Sequence, residues 1–156
     1  MEDNRAKRKE FLLRKNEGRL ELEALSVHLQ KNGITDINLL SLLDSDRIVS
    51  LMQKKNVIDE GSEMSVDDFT NKIAKVLADK VNEVAYLWTI KSQYCGLLEL
   101  QNLPPIESFV SLLNDTYFGG YLTIYFDISK TRLDIDIDEN PALNNQWYYS
   151  YSFSTW

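Results

Sequence analysis

The stretch Tyr121-Leu122-Thr123-Ile124-Tyr125-Phe126-Asp127-Ile128-Ser129-Lys130-Thr131-Arg132-Leu133-Asp134-Ile135-Asp136-Ile137-Asp138 decides the fold, because its apolar period is two on either side of a polar centre. Leu122, Ile124, Phe126 and Ile128 alternate with Tyr121, Thr123, Tyr125 and Asp127. Beyond the centre, Leu133, Ile135 and Ile137 alternate with Arg132, Asp134, Asp136 and Asp138. Successive side chains of a strand point to opposite faces, so each half reads as a strand with one apolar and one polar side. A tight turn at Ser129-Lys130 brings the apolar sets together when Phe126 faces Leu133. That register pairs Asp127 with Arg132, Tyr125 with Asp134, Thr123 with Asp136 and Tyr121 with Asp138. A four-residue loop at the same place is expected to keep it. Leu122, Ile124, Phe126, Leu133, Ile135 and Ile137 are then core, and the aspartates point outward.

Downstream, Trp147 to Phe153 sends Trp147, Tyr149, Tyr151 and Phe153 to one side and Tyr148, Ser150 and Ser152 to the other, which completes a three-stranded antiparallel sheet. Upstream the period changes to three and four. A helix is expected from about Arg5 to Lys31, carrying Leu13, Leu20, Ala24 and Val27 with Leu22, Leu25 and Leu29, and ending at Asn32-Gly33. A short second helix follows from Thr35 or Asp36 through Leu43, and Asp44 or Ser45 restarts the pattern with Ile48, Val49, Leu51 and Met52. Ser65 and Asp68 form a capping box before a long helix bearing Phe69, Ile73, Val76, Leu77, Val81, Val84 and Trp88, which runs to near Gly96. Pro104-Pro105 starts another helix that stops at Gly119-Gly120. The expected fold is α+β, a single domain over 1–156. Its helical part, 1–118, has four to five helices and packs on a three-stranded sheet in 119–156.

Composition narrows the chemistry. With 156 residues, 44% hydrophobic and 26% charged, the chain is long enough for one core and has no stretch near the roughly 18 to 20 apolar residues of a membrane span. Its only cysteine is Cys95 and its only histidine His28, which removes disulfide frameworks and sites needing two imidazoles. The basic start holds only Phe11-Leu12-Leu13 as an apolar run, too short for a signal peptide, so a cytoplasmic protein is expected. Met1 to Leu98 carries 15 basic and 16 acidic residues, whereas Glu99 to Trp156 carries 2 and 8. Most of the net charge of −7 therefore lies on the strand-rich end, together with 12 of the 17 aromatic residues.

The stretch Leu29 to Leu43, with Asn32-Gly33-Ile34, Asp36 and Leu39-Leu40, resembles the middle of a sterile alpha motif domain. The resemblance ends there: Val57 to Ser65 stands where such domains carry the glycine and lysine that open their final helix. It implies protein interaction rather than catalysis, without assigning the chain to the family.

Catalytic motifs are sparse. Asp134, Asp136 and Asp138 spell the opening of a calcium loop, but Glu139 replaces the glycine at position six and Asn145 the glutamate at position twelve. Asp127 and Lys130 sit on a turn rather than in a nuclease cleft, and Cys95 with His28 lacks a third orienting group. No phosphate-binding glycine loop or nucleophile elbow is present. The basic residues Arg5, Lys7, Arg8, Lys9, Arg14, Lys15 and Arg19 are interleaved with acids and have one aromatic neighbour, Phe11, which predicts no direct nucleic-acid contact. No metal, cofactor or membrane is called for.

What stands out is a row of like charges beside tyrosines. Carboxylates at i, i+2 and i+4 repel one another, and an opposite charge offsets that. The expected function is non-enzymatic binding, and inhibition, of a basic protein such as a toxin, a nuclease or a nucleic-acid-binding enzyme, in the manner of an immunity protein, antitoxin or phage inhibitor. The binding residues are Tyr121, Thr123, Tyr125, Asp127, Asp134, Asp136, Asp138 and Tyr148. Two alternatives are a helical adaptor or self-associating protein, and a metal-dependent hydrolase using the Asp134/Asp136/Asp138 strand.

Overall fold

The computed structural model describes residues 2–140 and 146–156. Helix α1 spans Glu2–Lys31. Gly33 ends it with φ +82°, while Ile34 N–H donates to Leu29 O and Gly33 N–H to Gln30 O, the paired bonds that satisfy the last carbonyls of a helix. Its inward stripe is Phe11, Arg14, Gly18, Glu21, Leu25 and Leu29, at steps of three and four. Leu13, Leu20 and Val27 point to solvent at 59%, 69% and 57% exposure. The expected core stripe of α1 was therefore partly its outer one.

Two contacts fix the middle of α1 to the segments Leu42–Leu51 and Ser92–Cys95. At Gly18 a Cβ would meet Tyr94 O at 2.0 Å, so only glycine permits the backbones to approach this closely. One turn earlier Arg14 forks onto Asp46 with two 2.9 Å bonds and donates from Nε to Gln93 O at 2.7 Å.

The sheet is antiparallel with seven strands instead of three. In chain order β1 is Ile37–Leu39, β2 Asn56–Met64, β3 Ala85–Trp88, β4 Leu98–Leu100, β5 Tyr121–Phe126, β6 Thr131–Asn140 and β7 Gln146–Thr155. Their spatial order is β1-β4-β3-β5-β6-β7-β2. Four strands thus lie within 1–118, the part expected to be helical. The remaining helices are α2 (Leu42–Leu51), α3 (Val66–Ala78), α4 (Ser92–Cys95) and α5 (Ile106–Asn114).

The differences have local causes. The expected helix over Thr35 to Leu43 does not form: Ile37 to Leu39 pairs with β4, and Ser41 caps α2, which starts at Leu42, by accepting from Asp44 N–H. Ser65 does cap α3, accepting from Asp68 N–H at 3.3 Å, but that helix ends at Ala78. Beyond it Ala85 to Trp88 is a strand between β4 and β5, where tertiary pairing overrides a helical spacing.

One face of the sheet bears Leu87, Leu98, Leu122, Ile124, Phe126, Leu133 and Ile135, each at most 1% exposed, under α1, α3 and α5. Ile137, expected as core, is half-buried at its margin. The other face carries a smaller cluster of Met52, Leu97 and Tyr125, flanked by Ile48 and Val49 of α2, Tyr86 and Trp88 of β3, and Trp156. This second layer was not expected, and it buries one end of the polar face.

The hairpin register is also corrected. Phe126 faces Thr131, Ile124 faces Leu133, Thr123 faces Asp134 and Tyr121 faces Asp136. Neither Ser129 nor Lys130 is a glycine or asparagine, so the connection widens to Asp127–Lys130, with Lys130 at φ +54°. Asp127 N–H bonds Val84 O, and the Asp127 carboxylate pairs with Lys130 at 3.1 Å rather than with Arg132. The pairing slides by two residues, which leaves the side chains within the two strands on their expected faces; Asp127 and Ile128 fall in the loop, and Ile128, read on the apolar side, is 69% exposed.

Candidate functional site

The polar face of β5, β6 and β7 has a closed end and an open end. At the closed end Asp134 is only 6% exposed. Arg132 grips it with Nη2 to Oδ1 at 2.7 Å and Nε to Oδ2 at 3.0 Å, and Lys55 adds an ion pair at 3.2 Å. The hydroxyls of Tyr121 and Thr123 each donate to Oδ1 at 2.7 Å. Arg132 also donates to Met52 O and lies over the Tyr125 ring. Burial pushes the Asp134 carboxyl up, but the bonds from Arg132, Thr123 and Tyr121 outweigh it and hold the group below the usual carboxylate range. Thr123 and Tyr125 are buried with it, at 1% and 4%. The expectation that Asp134 points to solvent is overturned, since α2 and Met52 cover this end.

The open end is a pocket of about 590 Å³. Asp134, Asp136, Ser150 and Ser152 lie along its β6 and β7 side; Tyr121, Lys55 and the Glu60-Gly61-Ser62 segment of β2 complete it. Asp136 is half-buried, and among the described residues it makes no hydrogen bond or ion pair. Burial raises its carboxyl above the ordinary value, and the charges of Asp138 and Asp134 add to the rise. The Ser152 hydroxyl is buried without a hydrogen-bond partner among the described residues. Asp138 is exposed and Tyr148 half-buried, facing each other across β6 and β7. The sequence-derived residues therefore separate: Thr123, Tyr125 and Asp134 form the support, Tyr121, Asp136, Asp138 and Tyr148 lie toward the open end, and Asp127 is at the hairpin loop. Lys55, Glu60 and Ser152 had not been singled out. Ser152 was legible in the alternation of β7, whereas Glu60 comes from β2, which carries no period, and Lys55 from the loop just before it.

Other candidate chemistry is engaged elsewhere. Among the described residues no three His, Cys, Asp or Glu side chains converge to hold a metal ion. Both Asp134 oxygens already accept from cations, which leaves the aspartate strand without its first ligand. Cys95 is buried with its thiol toward Gly18 O, and burial, then the charge of Glu21, pushes that thiol up. His28 instead stacks on Tyr117 and sits 2.8 Å from Asp115. No described helix is long and apolar enough to cross a membrane. No protein-family model, curated protein or solved structure matches the chain.

Proposed function

We propose that this is a non-enzymatic protein that binds, and inhibits by covering, a basic protein through the open end of its acidic sheet face. The observation that supports the reading is Asp136, a half-buried carboxylate in a pocket, raised by burial and then by its neighbours' charges, and without an ion pair among the described residues. Holding such a group ionised costs stability, and a lysine or arginine reaching in from a partner offsets that cost. Ser152 offers such a cation an additional acceptor, and Tyr121 and Tyr148 supply contact area with little rotamer entropy to lose. Asp134 supports the site by fixing Tyr121 and is not itself the contact.

The test is retention of proteins from source lysate on the immobilised protein, comparing the parent with Asp136→Lys. A basic protein should be held by the parent at low salt, released as salt rises, and bound at least about tenfold more weakly by the variant. Equal retention of the same proteins by both would reduce the acidic face to a solubilising surface.

A further inference from the structure

We propose that the groove along the amino-terminal half of α1 is a second docking site, and that its occupant is an acidic amphipathic helix of a partner protein. Two pockets of about 530 and 500 Å³ share Leu12 and Asn16 and run together along α1 from Arg5 to Leu22, a length of about 26 Å at 1.5 Å per residue. The apolar surface comes from Leu12 and Leu22 of α1, Leu39 of β1, Leu42 of α2 and Tyr94 of α4. Leu12, Leu22 and Leu39 are 54%, 37% and 43% exposed, so nothing among the described residues covers them. From Leu12 to Leu22 walls from α1, the Leu39–Leu42 segment and α4 make the surface a trough, which exists because Gly18 seats α1 directly on α4; toward Arg5 it opens onto a basic shelf lined by α1 alone.

Its charge selects the occupant. Arg5, Arg8, Lys9, Lys15 and Arg19 line the two pockets, and no carboxylate does, in a chain whose net charge is −7. Among the described residues Arg5, Arg8, Lys9 and Lys15 form no ion pair, while Arg19 donates to Asn16. The cations spread over about 20 Å of helix, more than a single anionic head group spans. A second copy of α1 would bring cations against cations. An amphipathic helix with leucines at i, i+3 or i+4 and i+7 and glutamates on its flanks satisfies both the apolar trough and the basic rim.

The probe is a fluorescent synthetic peptide of about seventeen residues with leucines at that spacing and glutamates elsewhere, compared with the same leucines among lysines. Anisotropy should report a Kd of roughly 1–100 μM for the glutamate peptide and none measurable for the lysine peptide. Amide resonance shifts should map to Leu39, Leu42 and Tyr94. Leu39→Glu, and separately Lys15→Glu with Arg19→Glu, should weaken binding at least about tenfold with an unchanged thermal melt, whereas Asp136→Lys should leave it intact. Equal binding of the two peptides, equal binding by parent and groove variants, or no binding at about 1 mM overturns the proposal. So does a groove that ignores the peptide yet binds phosphatidylglycerol vesicles or drives concentration-dependent dimerisation, each lost in the same variants.

Discussion

The two faces of the central hairpin are both buried at their middle, but by different means. On one, Leu122, Ile124, Phe126, Leu133 and Ile135 meet three helices without a polar atom among their side chains. On the other, Tyr125 packs against Met52 and α2, while Thr123, Arg132 and Asp134 are joined by a charge network that takes the place of apolar contact. Burial by hydrocarbon needs only complementary shape. Burial of a carboxylate needs every lone pair answered, and two residues along the same strand, at Asp136, it is not. The lesson is that an alternating row of identical residues need not share a role.

The largest way to test this contrast is on the apolar side. Phe126→Ala should lower the unfolding free energy by about 3 to 5 kcal/mol in a denaturant titration, since a 0%-exposed ring is replaced by a cavity. A loss below about 1 kcal/mol would mean that the helices collapse onto the gap and that this face is not close-packed.

Next in size is the charge network. Arg132→Met removes the fork from Asp134 and leaves it only Lys55 and two hydroxyls; the expected loss is about 3 kcal/mol. Adding Asp134→Leu to the same chain should restore much of that loss, because the carboxylate left without its guanidinium is then gone. A double variant no more stable than the single one would show that Arg132 acts mainly through its packing on Tyr125 and its bond to Met52 O.

The smallest effect distinguishes the neighbouring aspartates by pH. Asp134 is held below the ordinary carboxylate range, so its contribution is full above the unfolded value near about 3.9 and is lost as pH falls through the folded one. Asp136 is raised, so its cost is full above its folded value and disappears below the unfolded one. Asp136→Asn should therefore stabilise the protein at pH 7 by roughly 0.2 to 1 kcal/mol, with no gain by about pH 3. Asp134→Asn should destabilise at pH 7, by less as the pH is lowered. If both substitutions act in the same direction at pH 7, the two ends of the row are alike after all.

Alternation over Tyr121 to Asp138 and Trp147 to Phe153 was enough to assign β5, β6 and β7 and the face of the side chains within them, though not the loop at Asp127 and Ile128, because period two is a local property of extended backbone. The serine cap of α3 and the proline start of α5 were equally local, whereas α5 ends at Asn114, before the expected glycine stop, and Gly119 closes a separate 3-10 turn at Thr116–Phe118. Four strands were not legible. Ile37 to Leu39 and Leu98 to Leu100 are too short to show a period, β2 is exposed along most of its length, and Ala85 to Trp88 continues a helical spacing. Those segments become strands through partners far along the chain. The acidic row was visible in the sequence, but its division was not. Asp134 is neutralised by Arg132, two residues away, and by Lys55, 79 positions earlier, which only the tertiary structure brings to it. Sequence alone determined which way each aspartate points, because the pleat does; the tertiary structure alone decided which is buried and answered, because that depends on what lies above the sheet.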